Sequence, residues 1–105
     1  MNIWALEKDI RIKHLLLLLG ECLGANSFSI SANPVLNDKA VRIYKTGVPD
    51  MSAYLYTYGQ PEDRYGVHLE YPEFSGMDTG MNFEMKEDID FDHLVEVLQV
   101  HLDIF

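Results

Sequence analysis

The sequence predicts an α+β fold made of a single domain over residues 1–105: an antiparallel sheet of about four to five strands, with N-terminal and C-terminal helices packed on one face. Three observations lead to this fold. Apolar residues recur at helical spacing only near the two ends of the chain, short alternating segments fill the middle, and strands do not alternate with helices. A chain of 105 residues is long enough to bury one hydrophobic core.

The first predicted element is a helix over residues 4–23. Its apolar positions follow helical spacing and widen into the uninterrupted cluster Leu15 to Leu19. Gly24, followed by Asn26, is a natural C-terminal stop. We therefore expect about five turns of helix whose leucine-rich end is buried on most sides.

Two short strands should follow the helix. Residues 27–32 alternate small polar residues with Phe28 and Ile30, and residues 40–45 place Val41 and Ile43 opposite their polar neighbours. Residues 46–50, with a glycine and a proline, should form the loop into the next strand.

A β-hairpin is predicted over residues 53–58 and 64–71, with a turn at Gly59 to Asp63 that combines glycine, proline and short acidic residues. Two registers are compatible with the pattern. If Tyr58 pairs with Tyr65, the three tyrosines of the first arm share the core face with Val67 and Leu69. A slip of one residue instead places those tyrosines beside His68 and Glu70 on an exposed face.

The last two elements are a strand over residues 81–85 and a helix over residues 90–102. Asp90 is a good N-cap, and the helix carries one apolar stripe. The spacing of Asp88, Asp90 and Asp92 resembles the start of a calcium loop, but His93 and Gln99 occupy the positions that require glycine and glutamate, so capping is the better interpretation. The residues that we expect to be largely buried in the whole chain are Leu17, Leu18, Phe28, Ile43, Leu55, Leu94 and Leu98.

The net charge of the chain limits the kinds of partner that it could bind. The formal net charge is −9, and residues 62–105 hold twelve acidic residues against Arg64 and Lys86. Such a field repels nucleic acid and anionic membrane and attracts a basic partner. A single cysteine, Cys22, and the lack of a long apolar run favour a cytoplasmic protein without a secretory signal or a membrane span.

Catalytic chemistry has little support in the sequence. His68 and Glu70 share a strand face and could exchange a proton, but no nucleophile motif, glycine-rich phosphate loop or metal-ligand spacing accompanies them. The four histidines do not form a zinc pattern with one cysteine. We therefore expect a protein that is not an enzyme and that has no cofactor and no metal site.

The two hairpin segments AYLYTYGQ (residues 53–60) and RYGVHLEYP (residues 64–72), in a small acidic α+β domain, resemble the bacterial immunity proteins encoded beside polymorphic and contact-dependent inhibition toxins. The resemblance implies tight binding to a cognate toxin, often a basic nuclease, that is thereby neutralised.

Independently of that class, an acidic surface with tyrosine anchors suits the binding of a basic protein. We expect the contact residues to be Tyr54, Tyr56, Tyr58, Glu62, Asp63, Arg64, His68 and Glu70. The alternatives are a small-molecule-binding or regulatory module without catalytic activity, and a structural subunit whose acidic half only keeps it soluble.

Overall fold

The computed structural model describes residues 6–31, 35–71 and 83–104. In these residues two helices bracket five strands. The elements are α1 Ile10–Leu23, β1 Phe28–Ile30, β2 Ala40–Lys45, β3 Val48–Tyr56, β4 Tyr65–Glu70, β5 Phe83–Ile89 and α2 Phe91–Leu102. The predicted α+β class is confirmed.

The five strands form one sheet in which the spatial order β1-β2-β3-β4-β5 is the order along the chain. Each neighbouring pair is antiparallel. Consecutive antiparallel strands need only a turn or a loop between them, so the meander requires no crossover connection.

Helix α1 begins at Ile10, six residues later than the sequence pattern predicts. The Asp9 side chain accepts a hydrogen bond from the Arg11 backbone N–H at 2.9 Å and so caps the helix. Residues 6–8 precede the cap and are not helical, while Trp4 lies outside the described residues. The predicted C-terminal stop is confirmed, since the Gly24 N–H donates to the Gly20 carbonyl at 3.0 Å.

The bounds of four strands differ from the predicted ones: the hairpin arms predicted over residues 53–58 and 64–71 end at Tyr56 in β3 and span Tyr65–Glu70 in β4. Strand β3 begins at Val48, so the predicted loop over residues 46–50 is reduced to a turn at Thr46 and Gly47. Strand β5 extends to Ile89 rather than ending at residue 85, and residues 81 and 82 lie outside the described chain. Strand β1 covers only three residues of the predicted 27–32.

Both helices pack on the same face of the sheet, as predicted. Buried side chains of α1, α2 and one face of β1 to β4 form a single cluster: Ile12, Leu15, Leu16, Leu19, Leu23, Phe28, Val41, Ile43, Ala53, Leu55, Val67, Leu69, Leu94, Leu98, Leu102 and Ile104. Helix α2 begins at the predicted cap, where the Asp90 carboxylate accepts from the His93 N–H at 2.9 Å.

The expectation that Leu18 is buried is wrong, because its side chain is 43% exposed, and Leu17 is only half-buried. A helix turns about 100° per residue, so five consecutive leucines cannot all face one sheet. Leu15, Leu16 and Leu19 take the buried positions instead.

Candidate functional site

The register of β3 against β4 decides which face carries the tyrosines. Tyr54 pairs with His68, and Tyr56 pairs with Gly66. This is the second of the two registers considered from the sequence. Leu55 and its partner Val67 therefore face the helices, and both are fully buried. The tyrosines of β3 lie on the opposite face of the sheet.

Four aromatic side chains, Tyr54, Tyr56, Tyr58 and His68, form a continuous group on this face, which we call the tyrosine array. The rings of Tyr56 and Tyr58 are stacked with centroids 4.6 Å apart. The His68 ring lies 5.3 Å from that of Tyr54 and 5.2 Å from that of Tyr56. The phenol oxygens of Tyr54 and Tyr58 are 3.4 Å apart. Such contacts restrain the rings.

Tyr56 is the covered centre of the array. Its side chain is only 2% exposed although it faces away from the helices. Its ring lies directly over Gly66, so that a Cβ at position 66 would be 2.2 Å from two ring atoms. Its hydroxyl donates to Glu87 Oε2 at 2.7 Å. We therefore expect Tyr56 to support the array, and Tyr54 and Tyr58 to offer the accessible surface.

The electrostatics keep these phenols neutral. Burial, followed by the hydrogen bond with Tyr58, raises the pKa of Tyr54 to about 12. Burial also raises the pKa of Tyr56, and the adjacent Glu87 carboxylate adds to this effect. Tyr54 and Tyr56 therefore present uncharged rings with intact hydroxyl groups at physiological pH.

At one end of the array, Arg42 and Glu70 form an ion pair. Arg42 donates from Nε to Glu70 Oε1 at 2.7 Å and from Nη2 to Oε2 at 3.2 Å, and the Ser52 hydroxyl donates to Oε1 at 3.0 Å. The Arg42 guanidinium carbon also lies 5.4 Å from the centre of the Tyr54 ring. Glu70 is thus paired and half-buried, and it is not the exposed acid that the sequence suggested.

At the other end, Gln60 and Glu87 hold the hairpin turn against β5. The Gln60 side-chain amide donates to Glu87 Oε2 at 3.1 Å and accepts from the Asp88 N–H at 2.8 Å. Strand β5 bulges here, since Tyr65 pairs with Ile89 but Val67 pairs with Lys86, and Asp88 has a positive φ of 55°. The bulge absorbs the extra residue and leaves Glu87 on the array side of the sheet.

The remaining candidate residues, Glu62, Asp63 and Arg64, are exposed in the hairpin turn. The turn contacts α1, where Arg11 Nη2 donates to the Pro61 carbonyl at 3.3 Å, and it contacts β5, where Arg64 and Asp88 are 3.9 Å apart. The structure therefore brings Tyr54, Tyr56, Tyr58, His68 and Glu70 together, whereas Glu62, Asp63 and Arg64 remain exposed in the turn.

Sequence reasoning missed Arg42 and Glu87 as members of the site. Arg42 alternates with the buried Val41 and Ile43, which indicates its face, but only the pairing of β2 with β3 brings it beside Tyr54. Glu87 lies beyond the predicted end of its strand. Pattern alone could not place it, because the bulge changes the count of residues between Glu87 and its neighbours.

The one pair considered for proton transfer, His68 and Glu70, is engaged in other contacts. Both Glu70 oxygens accept hydrogen bonds from Arg42, and His68 packs between two tyrosine rings. Across residues 6–31, 35–71 and 83–104, no three His, Cys, Asp or Glu side chains are grouped so that they could hold a metal ion. The arrangement presents an aromatic contact surface rather than an acid–base pair.

Comparison with known proteins gives no relative, since no family model, curated protein or solved structure matches the chain. Within the described segments, neither helix has the length and apolar character needed to cross a bilayer.

Proposed function

We propose that this protein is a bacterial immunity protein, which binds a cognate toxin and neutralises it through the sheet face that carries the tyrosine array. One observation carries the proposal: three tyrosines and a histidine are grouped on the face opposite the two helices, with charged groups at both ends. Tyrosine-rich, restrained surfaces bordered by polar groups are typical of protein-binding sites. The acidic net charge favours a basic partner, which includes many nucleases.

The same reasoning leads us to propose a cytoplasmic protein that has no catalytic activity of its own. Tight inhibitors need a rigid surface rather than a reactive group, and the His68 and Glu70 side chains are occupied by their neighbours. If the purified protein hydrolysed a substrate and the double variant His68→Gln/Glu70→Gln did not, this part of the proposal would be wrong.

Growth rescue tests the main proposal. Expression of the product of the adjacent gene should be toxic, and co-expression of this protein should restore growth. The double variant Tyr54→Ala/Tyr58→Ala should fail to restore it. Tyr71→Ala is the matched control, because Tyr71 is also exposed but contacts His101 on the helix side. If the double variant neutralised the toxic gene product as well as the wild type does, the tyrosine array would not be needed for neutralisation.

The alternative is a small-molecule-binding or regulatory module, and a groove between α2 and β4–β5 favours it. The groove has a volume of about 320 Å³ and is lined by Tyr71, Lys86, Val97, Val100 and His101 among others. Its wall includes the buried imidazole of His101, which bonds the Ser52 carbonyl through Nε2 at 2.8 Å. A ligand screen tests this alternative. A compound that raises the melting temperature of the wild type, but not of the Val100→Trp variant, would support this module instead.

A further inference from the structure

We infer that the Tyr58 and Glu87 end of the tyrosine array is a recognition site for an arginine side chain of a basic protein partner. This inference deepens the proposed function and rests on it, because it names the chemical group of the toxin that the array receives. It can nevertheless be tested apart from the toxin.

The first argument comes from the opposite end of the same face. There the Arg42 guanidinium lies over the Tyr54 ring and donates two hydrogen bonds to the Glu70 carboxylate. A planar guanidinium suits both contacts at once, because it binds carboxylate oxygens in a fork and packs flat on an aromatic ring. The face therefore already holds one arginine by a tyrosine and a glutamate.

The second argument is that Tyr58 and Glu87 offer the same two groups. Tyr58 is 37% exposed, and its ring is stacked on Tyr56, whose hydroxyl donates to Glu87 Oε2. Glu87 Oε2 also accepts from the Gln60 amide, so its described partners are neutral groups. Neutral donors do not pair with the carboxylate as a cation does, so an incoming guanidinium can form an ion pair with it.

The third argument concerns the cations already present nearby. Arg64 lies 3.9 Å from Asp88, and Lys86 lies 4.0 Å from Glu84, so each of these bases has its own acidic neighbour. Met85 pairs with His68 on the face of the tyrosine array, and its side chain is 55% exposed. Its thioether offers apolar surface to the methylene stem of a long basic side chain. Charge complementarity thus favours an arginine over a neutral or acidic group.

The probe for the test is N-acetyl-arginine amide, titrated into the labelled protein and followed by NMR, with N-acetyl-lysine amide as the comparison. The arginine compound should shift the ring signals of Tyr58 and the side-chain amide signals of Gln60. The lysine compound should bind more weakly, because an ammonium ion cannot pack flat on an aromatic ring while it donates two parallel hydrogen bonds to a carboxylate. Glu87→Gln and Tyr58→Leu should each weaken arginine binding by about tenfold.

The matched control is Glu84→Gln. It removes the same charge from the same strand, but Glu84 pairs opposite the core residue Leu69 and so belongs to the helix side of the sheet. Arginine binding should be unchanged in this variant. Tyr58→Phe should weaken binding less than Tyr58→Leu, since it keeps the ring. Equal losses in the Glu84 and Glu87 variants, or no shift of the Tyr58 signals at all, would overturn the arginine site.

The two proposals can fail separately. If the toxin binds and Glu87→Gln leaves its affinity unchanged, the immunity function stands and the arginine site is wrong. If the arginine compound binds at Tyr58 but the adjacent gene product does not bind the protein, the site stands and the immunity function is wrong.

Discussion

At the scale of single residues, Gly66 makes room for the ring that supports the tyrosine array. A Cβ at this position would lie 2.2 Å from Cε2 and Cζ of Tyr56, which is far inside van der Waals contact. Glycine within a strand often marks such a close approach, and a cross-strand aromatic ring then covers the exposed backbone. The position of Tyr56 therefore depends on a residue that carries no side chain.

Gly66→Ala should lower the free energy of unfolding by about 1–3 kcal/mol, because the new methyl group forces the Tyr56 ring to move. Urea denaturation measures this loss. The same change should cost less in a Tyr56→Ala background, where the ring is absent. Gly20→Ala is the control: a Cβ at this position would lie 4.0 Å from the Ala25 Cα, and alanine in a helix interior should stabilise the protein by about 0.5–1 kcal/mol. Equal effects at the two glycines would contradict the proposed clash.

Tyr54 should lose its proton at a pH near 12, well above the ordinary value of 10.0, because burial and the contact with Tyr58 disfavour the phenolate. A raised pKa in the folded protein stabilises it fully below pH 10, and that stabilisation is lost as the pH rises from 10 to 12. Absorbance of tyrosinate during an alkaline titration reports the ionisation. The Tyr54→Phe variant should lack one late-titrating phenol and should lose less stability over this pH range; an unchanged titration would refute the assignment.

At the scale of elements, the helices and strands could be predicted because their local signals agree. Alternation in residues 40–45 gives β2 with its observed bounds, and Asp90 gives the start of α2. The register of the hairpin could not be predicted, since a tyrosine suits a core or a surface equally well. The packing of Leu55 on Val67 and of Tyr56 on Gly66 decides it, and both contacts are between strands.

The packing of α2 predicts that truncation of two of its side chains has very different effects on stability. Leu98 is fully buried in the core cluster, so Leu98→Ala should cost about 2–5 kcal/mol in the free energy of unfolding. Val100 is 73% exposed on the same helix, and Val100→Ala should change stability by less than about 0.5 kcal/mol. Chemical denaturation of the two variants compares them directly. A loss below about 1 kcal/mol for Leu98→Ala would mean that α2 does not close the core.

At the scale of the whole molecule, charge is distributed unevenly. The C-terminal part of the chain holds most of the acids, and several of them are exposed along β5 and α2: Glu84, Glu87, Asp88, Asp92, Glu96 and Asp103. Composition alone predicts this bias, but not that Glu70 is neutralised by Arg42. In the proposed complex, long-range attraction should therefore come from the β5 side and the hairpin turn, and the aromatic array should supply the close contact.

Binding kinetics against the adjacent gene product should separate these two roles. Glu62→Gln/Asp63→Asn should slow association and flatten its dependence on salt, because both acids are exposed in the hairpin turn. Tyr58→Ala should instead speed dissociation, at a cost of about 2 kcal/mol or more. Association that does not depend on salt and is unaffected by the acid changes would exclude the electrostatic part of the mechanism.

The order of the strands also has a consequence for how the protein is made. Each strand pairs with a neighbour along the chain, so hairpins can form one after another as the chain leaves the ribosome, and such local pairing favours fast folding. The apolar face of these hairpins, however, is also covered by Leu94, Leu98 and Leu102 of α2. Until these residues are synthesised, part of the apolar face of the nascent sheet is uncovered, and the core is complete only after α2 has left the ribosome.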